Sequence, residues 1–473
     1  MHVDRREFLK KSGFVAAGFM GLKNLMHAAP GSAAGASGSP AGPMKTIAGY
    51  GPLVPDPAKI FDLPEGFTYS VISRAGDEMD DGLLVPGDAD GMAAFPGPDG
   101  RILLVRNHEL NPGDRAKSGF GPNHERLGRI APEKLYDAGS SEGPMFGGTT
   151  NIVYNPKTMQ AERVYTSLAG TENNCAGGPT PWGSWVTCEE TTTPKSQFWK
   201  RDHGYNFEVP ADADGTVDPV PLKAMGRFRH EAIAVDPKSG IVYQTEDMGD
   251  GLIYRFIPKT KGKLAEGGTL QALMVEGQPS RDTRNWKDTG EPTFPAQAFF
   301  NTRWVDLRDV EAPRDDLRFR GFRAGAARFA RGEGMWYGNG EVYWACTNGG
   351  PIGAGQIFRY IPSPYEGQQR EKDIPGRLEL FLESTDRDVL KNADNLCIAP
   401  WGDVIIAEDS DQPCRLVGVT PEGAAYTFAA NSYNGSELAG CCFSPDGQTL
   451  FVNIQKTGLT LAVTGPWSNG VPA

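Results

Sequence analysis

One pattern of hydrophobic and polar positions recurs along most of the chain. An apolar run is followed by a turn containing Pro, Gly or Asp, a second apolar run and a polar cluster. The copies lie at 92–109, 177–190, 232–247, 335–348, 396–409 and 441–455. Apolar runs on both sides of such a turn are typical of β-hairpins. The pattern therefore predicts an all-β protein.

A third apolar run follows some of these hairpins, most clearly at 252–258 and 356–362. A meander of this kind cannot cover its own apolar faces, whereas radial repetition covers them without long exposed edges. We therefore predict a single β-propeller over residues 44–473, with six blades and seven as the alternative. Residues 66–73 are expected to supply the outer strand that closes the ring with the last blade. Long insertions are expected to cover one face, at 191–226, 259–325 and 363–393.

The position just before the first strand of each predicted hairpin carries an acidic or thiol group. These groups are Asp90, Cys175, Glu231, Glu333, Asp394 and Glu437. In a propeller these positions lie at one mouth of the central channel, where five carboxylates would repel each other without a counter-charge. The pattern therefore predicts a metal site on the axis. The alternative is that each group caps its own turn.

A second set of carboxylates follows the second strands of the hairpins. Its members are Glu109, Glu189, Glu190, Glu246, Asp247, Glu408 and Asp409. They are expected to be calcium ligands on the same face or partners in salt bridges between blades, and the second interpretation is favoured for Glu408 and Asp409. Arg331 lies two residues before Glu333, where a planar guanidinium suits a phosphate oxyanion. For Arg229, which directly precedes His230 and Glu231, balancing the charge of the carboxylates is at least as good an explanation as phosphate binding.

The composition limits the kinds of partner and of metal site that the protein can have. A net charge of −12 over 473 residues disfavours a nucleic-acid or anionic-membrane partner, whereas surplus carboxylates suit hard cations. Only six His are present, which argues against a His-rich zinc site. The seven Cys are an odd number without a CxxC spacing, so at least one thiol should stay unpaired, as a buried apolar group or a ligand. We expect a monomer.

The first 40 residues are typical of an export signal followed by a linker of small residues. Arg5 and Arg6 precede Phe8-Leu9-Lys10 and the modestly apolar stretch 13–22, as in a twin-arginine signal peptide. That stretch is too short to cross a bilayer, which needs about 20 apolar residues, and no Cys precedes Cys175 to carry a lipid anchor. We therefore expect passage through the twin-arginine translocase, a periplasmic or extracellular location and no membrane anchor in the mature protein.

Several of these motifs together resemble the PhoX-type alkaline phosphatases. They are the export signal, the Cys- and Pro-containing run 173–190, and the segments 106–109, 229–231, 331–334, 392–396 and 443–453. The resemblance covers nearly the whole chain after the signal. It implies a secreted propeller that hydrolyses phosphomonoesters at a cluster of ferric and calcium ions.

The resemblance also implies roles for particular residues. Cys175 is similar to the thiolate ligand of iron. Glu231, Glu333 and Asp394 are similar to carboxylates shared between iron and calcium. Glu109 and the side chain of Asn174 are similar to further cluster contacts, and Arg331 to the phosphate-binding residue. Asp90 and Glu437 are predicted as metal ligands from their position alone.

We expect a metal-dependent phosphomonoesterase in which Arg331, Cys175 and Glu231 take part in catalysis. No Ser, Thr or His with a nucleophile motif is evident, so a covalent phospho-enzyme is not expected. One alternative is a calcium-dependent hydrolase of a lactone or phosphotriester, and another is a non-catalytic binding propeller stabilised by metal. Cys175 distinguishes the phosphomonoesterase from the calcium-dependent hydrolase, because calcium takes oxygen ligands and a calcium-only site would not need a soft thiolate ligand.

Overall fold

A computed structural model describes residues 42–140, 143–290, 293–410, 413–456 and 458–467. Its regular structure is almost entirely β-strand. One short helix, α1, spans Leu317–Arg323. The twin-arginine motif and the rest of the expected export signal lie outside the described residues. Within the described ranges, no helix has the length and apolar character needed to cross a membrane.

The strands form six blades of three or four strands each, as the repeat predicts. Before the first blade come β1 (Lys45–Thr46), β2 (Leu53–Val54), β3 (Phe61–Pro64) and β4 (Thr68–Arg74). Blade I is β5 (Ala89–Pro96), β6 (Ile102–His108), β7 (Gly147–Asn155) and β8 (Gln160–Thr171). Blade II is β9 (Asn174–Pro179), β10 (Ser184–Glu189) and β11 (Asn206–Pro210). Blade III is β12 (His230–Val235), β13 (Val242–Glu246), β14 (Ile253–Pro258) and β15 (Gly268–Val275).

The remaining strands complete the ring. β16 (Phe299–Asp306) pairs with the outer strands of blades III and IV and joins them into one sheet. Blade IV is β17 (Gly332–Gly338), β18 (Glu341–Cys346), β19 (Gln356–Ile361) and β20 (Arg377–Glu383). Blade V is β21 (Ala393–Ile398), β22 (Val404–Glu408), β23 (Arg415–Val419) and β24 (Ala424–Asn431). Blade VI is β25 (Leu438–Phe443), β26 (Thr449–Ile454) and β27 (Leu459–Thr464), with β4 as its outer strand.

The first strand of each blade lies innermost, and each inner strand neighbours the next around the ring, from β5 through β25 and back to β5. Ring closure depends on β4, which pairs antiparallel with β27, with Val71 opposite Leu461 and Tyr69 opposite Val463. The prediction that 66–73 closes the ring is therefore confirmed. Closure in this way leaves no exposed inner edge.

Apolar side chains between neighbouring blades form the core. Trp336, in β17, packs against four of these clusters, which lie between blades I and II, I and VI, IV and V, and V and VI. A side chain that touches four blade interfaces must lie near the axis. Trp336 therefore lies towards the end of the channel at which the inner strands finish, where it lines a second cavity.

The predicted insertions are partly blade strands. β11 lies within 191–226, β15 and β16 lie within 259–325, and β20 lies within 363–393. The repeat missed them because long connections of varying length separate them from the inner hairpins, so they do not recur at a fixed place in the pattern.

Candidate metal centre

A cavity of about 400 Å³ opens on the axis where the inner strands begin. All six groups predicted from position line it, namely Asp90, Cys175, Glu231, Glu333, Asp394 and Glu437. Five of them are the second residue of an inner strand, and Glu437 directly precedes β25. Residues far apart in sequence therefore converge on one site.

Each inner strand carries a β-bulge near its start. In blade III, the pairs His230–Glu246 and Ile233–Gln244 enclose two residues of β12 against one of β13, so Glu231 and Ala232 form the bulge. The other five inner strands have the same one-residue excess. A bulge twists the strand and redirects its side chains, and in five blades the site residue is itself part of the bulge. In blade VI the bulge is at Gly440 and Cys441, and Glu437 lies before it.

The backbone just before four of the inner strands is left-handed. Asp88, Asn173, Arg331 and Asn392 have φ between 44° and 51°, and each lies two residues before a cavity group. The carbonyls of Asp88, Asn173 and Asn392 accept hydrogen bonds, at 2.9–3.0 Å, from the backbone N–H of Glu109, Glu190 and Asp409. These bonds bring the end of the second strand against the start of the first.

Polar side chains from neighbouring blades hold the bulges in place. Asn107 donates to the carbonyl of Ala176 at 2.6 Å, Thr245 to that of Glu333 at 2.6 Å and Asn453 to that of Asp90 at 2.6 Å. All three donors are buried on second strands. The site geometry is therefore fixed between blades as well as within them.

The second set of carboxylates divides by strand alternation. Glu109, Glu190, Asp247 and Asp409 line the cavity. Glu189, Glu246 and Glu408 face the blades instead, because successive strand residues point to opposite sides. Glu408 accepts from Arg415 at 2.7 and 2.9 Å, but both residues belong to blade V, so this salt bridge lies within a blade and not between blades as that interpretation expected. Asp409 lines the cavity instead.

Two groups of possible ligand atoms meet at Glu231. The first comprises Cys175, Glu190 and Glu231, and the second comprises Glu231, Glu333 and Asp394. Within each group the ligand atoms lie within 4.8 Å of one another. The thiol of Cys175 otherwise contacts the carbonyl of His230 at 3.4 Å. The arrangement could hold neighbouring cations that share Glu231.

Most carboxyl groups of this cavity have raised pKa values. Burial, together with repulsion from Glu190 and Asp394, raises the pKa of Glu231 well above its usual value. Burial and neighbouring carboxylates raise the pKa of Glu109 and Asp394 to about 7 and that of Glu437 to about 11. Burial and Glu231 likewise raise the pKa of the Cys175 thiol.

A bound cation would relieve this repulsion. The described cavity lining contains eleven carboxyl groups against three cationic side chains. The buried Oδ1 atoms of Asp88 and Asp90 have no hydrogen-bond partner within the described residues. Oxygen donors in excess fit a hard cation such as calcium, and the Cys175 sulfur fits iron. The residues present therefore match the metals that the resemblance implies.

Arg331 is fixed at the cavity wall by two carboxylates. Its Nε and Nη2 donate to the two oxygens of Asp247, both at 2.7 Å, and Nη2 lies 3.0 Å from Glu333. Nη1 makes no hydrogen bond to the described residues, and 38% of the side chain is exposed. Arg229 is exposed and does not line the cavity. Arg331 thus presents a free donor edge to a ligand.

Asn174 lies differently from the other predicted contacts. Its Oδ1 accepts from Thr171 at 2.6 Å and its Nδ2 donates to Thr187 at 2.9 Å, and it does not line the cavity. Sequence reasoning had not singled out Gln455, which donates to Asp90 and Glu109, both at 2.7 Å. Its place after β26 matches that of the second carboxylate set, which is the signal that could have found it.

The chain is similar to several known proteins. The model of the family described as "Alkaline phosphatase PhoX" matches residues 48–153 and 143–458. The structure of Pseudomonas fluorescens PhoX in complex with vanadate, a transition state analogue, is similar over 89% of this chain and 98% of its own, with 18% identity and a TM-score of 0.63. A gluconolactonase, XC5397 from Xanthomonas campestris, is similar over 88% of this chain and 98% of its own, with 14% identity and a TM-score of 0.40. No curated protein sequence matches the chain.

Proposed function

The chain belongs to the alkaline phosphatase PhoX family and is a phosphomonoesterase, and we propose that hydrolysis takes place in the acidic axial cavity with iron and calcium bound. The observation that carries this proposal is the convergence of a thiol, carboxylates from all six blades or their connecting segments and the guanidinium of Arg331 in one cavity. Substrates would be small phosphate esters able to enter this opening.

The chain offers one donor set for each metal, and the two sets share Glu231. Cys175, Glu190 and Glu231 would hold iron, because ferric ion accepts thiolate and carboxylate. Glu333 and Asp394, with the remaining carboxylates of the cavity, would hold calcium, which takes oxygen ligands only. When bound, such ions would neutralise the carboxylates and polarise the phosphoryl oxygens.

Arg331 would bind the phosphoryl group. Asp247 grips one edge of its guanidinium through two hydrogen bonds, so the side chain is oriented before a substrate arrives. Its remaining donor edge would stabilise the negative charge that spreads over the phosphoryl oxygens during transfer. Gln455 would hold Asp90 and Glu109 in place through its paired hydrogen bonds.

The test combines elemental analysis with hydrolysis of p-nitrophenyl phosphate, for the wild type and Cys175→Ser. We expect iron and calcium in the wild type, and in the variant a loss of iron and a fall in kcat/KM of at least about 100-fold. Cys442→Ser is the matched control, because Cys442 is also buried but packs between blades I and VI, outside the cavity.

Two outcomes would overturn the proposal. Calcium without iron, with activity unchanged in Cys175→Ser, would favour the calcium-dependent hydrolase. A metal-loaded protein that hydrolyses no phosphate ester would favour the binding propeller.

We also propose that the protein is exported folded through the twin-arginine translocase to the periplasm or beyond. Arg5-Arg6 and the short apolar stretch after them support this. Replacement of both arginines by lysine should retain the protein in the cytoplasm, as cell fractionation would show.

A further inference from the structure

Two lysines line the axial cavity in addition to Arg331. Lys117 belongs to the connection between β6 and β7 of blade I, and Lys456 follows β26 of blade VI. These two blades are neighbours, because β25 lies beside β5. Arg331 precedes the inner strand of blade IV and binds Asp247 of blade III. In a ring of six blades, the lysines therefore lie across the channel from the guanidinium.

Lys117 is held at the cavity wall by its backbone and its neighbours. Its carbonyl accepts a hydrogen bond from the N–H of Gly87 at 2.9 Å. A Cβ at Gly87 would lie only 2.9 Å from the Cβ of Lys117, so the absence of a side chain there lets the lysine approach. Its ammonium lies 2.6 Å from Asp88 and 3.1 Å from Asp114. Lys117 is thus anchored, with 44% of its side chain exposed.

Lys456 is positioned but not neutralised by a direct contact. Its backbone N–H donates to the hydroxyl of Ser436 at 2.8 Å, and its exposed side chain makes no hydrogen bond or ion pair with the described residues. Its charge is close enough to Asp88 to favour the ionised carboxylate there, although burial leaves the pKa of Asp88 raised overall. An ammonium without a partner at the wall of an anion-processing cavity is available to a ligand.

We propose that Lys117 and Lys456 bind a second anionic group, carried by the leaving alcohol of the substrate while Arg331 binds the phosphoryl group. The cavity, at about 400 Å³, lies within the range of small-molecule sites and is larger than one phosphoryl group needs. The preferred substrates are therefore phosphomonoesters whose alcohol bears a carboxylate or another phosphate. This inference rests on the proposed function.

The experiment compares 4-carboxyphenyl phosphate with its neutral counterpart, 4-carbamoylphenyl phosphate, on the metal-loaded protein. The measured quantity is the ratio of kcat/KM for the charged ester to that for the neutral ester. Lys456→Gln and Lys117→Gln should each lower this ratio about threefold to fivefold, the usual scale of a partly exposed charge pair. Lys117→Arg should keep the ratio, because it keeps the charge.

Lys134→Gln is the control. Lys134 lies on the same connection as Lys117 but pairs with Asp218 at 2.7 Å and does not line the cavity, so its loss should not move the ratio. Should Lys117→Gln fail to fold, Lys456→Gln still decides, because that side chain has no partner to lose. Hydrolysis of both esters with a ratio unchanged in Lys456→Gln overturns this inference alone. Hydrolysis of neither ester by the wild type overturns the proposed function as well.

Discussion

At the scale of single residues, the site uses backbone conformations that its side chains disfavour. Arg331 has φ 51°, a left-handed conformation that costs a non-glycine residue about 1 kcal/mol or more. Its bonds to Asp247 and the acceptance by its carbonyl of the Thr347 N–H, at 3.1 Å, hold it there. The strained residue is the one proposed to bind phosphate, where a fixed orientation of the guanidinium would favour binding of the phosphoryl group.

Arg331→Lys should separate charge from orientation. A lysine keeps one positive charge but cannot donate two parallel hydrogen bonds to Asp247, so the phosphoryl group would lose a preoriented donor. We expect kcat/KM for p-nitrophenyl phosphate to fall about 100-fold, with metal content unchanged. Steady-state kinetics and elemental analysis check this, and activity within twofold of the wild type would contradict the role of Arg331.

Glu231 and Glu333 should differ in the metals they retain. Glu231 belongs to both groups of ligand atoms, whereas Glu333 belongs only to the group without Cys175. Glu231→Gln should therefore lose iron and calcium together, while Glu333→Gln should keep more of its iron. Metal analysis of the two purified variants measures this, and equal iron loss in both would show that the thiol group is not a separate site.

At the scale of strands, the repeat identified which residues converge but not how they are aimed. The six cavity groups at the starts of the inner strands could be found by counting back from a turn glycine, because hairpin composition is visible in the sequence. The bulges were not predicted, since an extra residue in one strand leaves no mark on a short apolar run. Without register, adjacent pairs such as Glu408 and Asp409 could not be divided, although only Asp409 faces the cavity.

Gly334 tests whether the bulges set the site geometry. A Cβ there would lie 2.7 Å from both the Cα of Asn395 and the carbonyl oxygen of Asp394, in the neighbouring inner strand. Because backbone cannot yield as a side chain can, Gly334→Ala should push β17 and β21 apart. We expect a loss of about 1–3 kcal/mol of unfolding free energy and reduced metal content.

Chemical denaturation and elemental analysis measure the effect of Gly334→Ala. The control is Gly128→Ala, since a Cβ at Gly128 meets no atom within 4 Å and its φ is not left-handed. A Gly334→Ala variant as stable and as metal-rich as this control would show that β17 and β21 can accommodate an extra methyl group at the bulge, and that the close contact there does not set the site geometry.

At the scale of the molecule, ring closure was predictable and the outer strands were not. The strand that closes the ring could be found because 66–73 is an isolated strand-like segment before the first repeat. β16 joins two blades through pairing that no local pattern encodes, so the sequence predicts an insertion there. The axial cavity follows from closure, because it draws groups from all six blades or their connecting segments and no single blade contains it.

That cavity links stability to pH and to metal. After metal is stripped, carboxyl groups such as Asp394 and Glu109 have a folded-state pKa of about 7, against an unfolded value near 4. The folded state then binds more protons than the unfolded state, so the stability of the stripped protein falls as pH rises through this window. Metal ions replace those protons, so they matter most at high pH.

We therefore expect a chelator to lower Tm by at least about 5 °C at pH 8.5 and by much less at pH 5.5. His203, buried between Glu189 and Asp137, also titrates, since these carboxylates raise its pKa to about 10 against the cost of burial. Its stabilising contribution is full below its unfolded pKa near 6.5 and is lost as pH rises towards 10. The loss of the His203 contribution affects the metal-loaded and the metal-stripped protein alike. The difference in Tm between the two proteins therefore reports only on the carboxyl groups of the cavity. An equal chelator effect at both pH values would mean that metal does not serve as the counter-charge of these carboxylates.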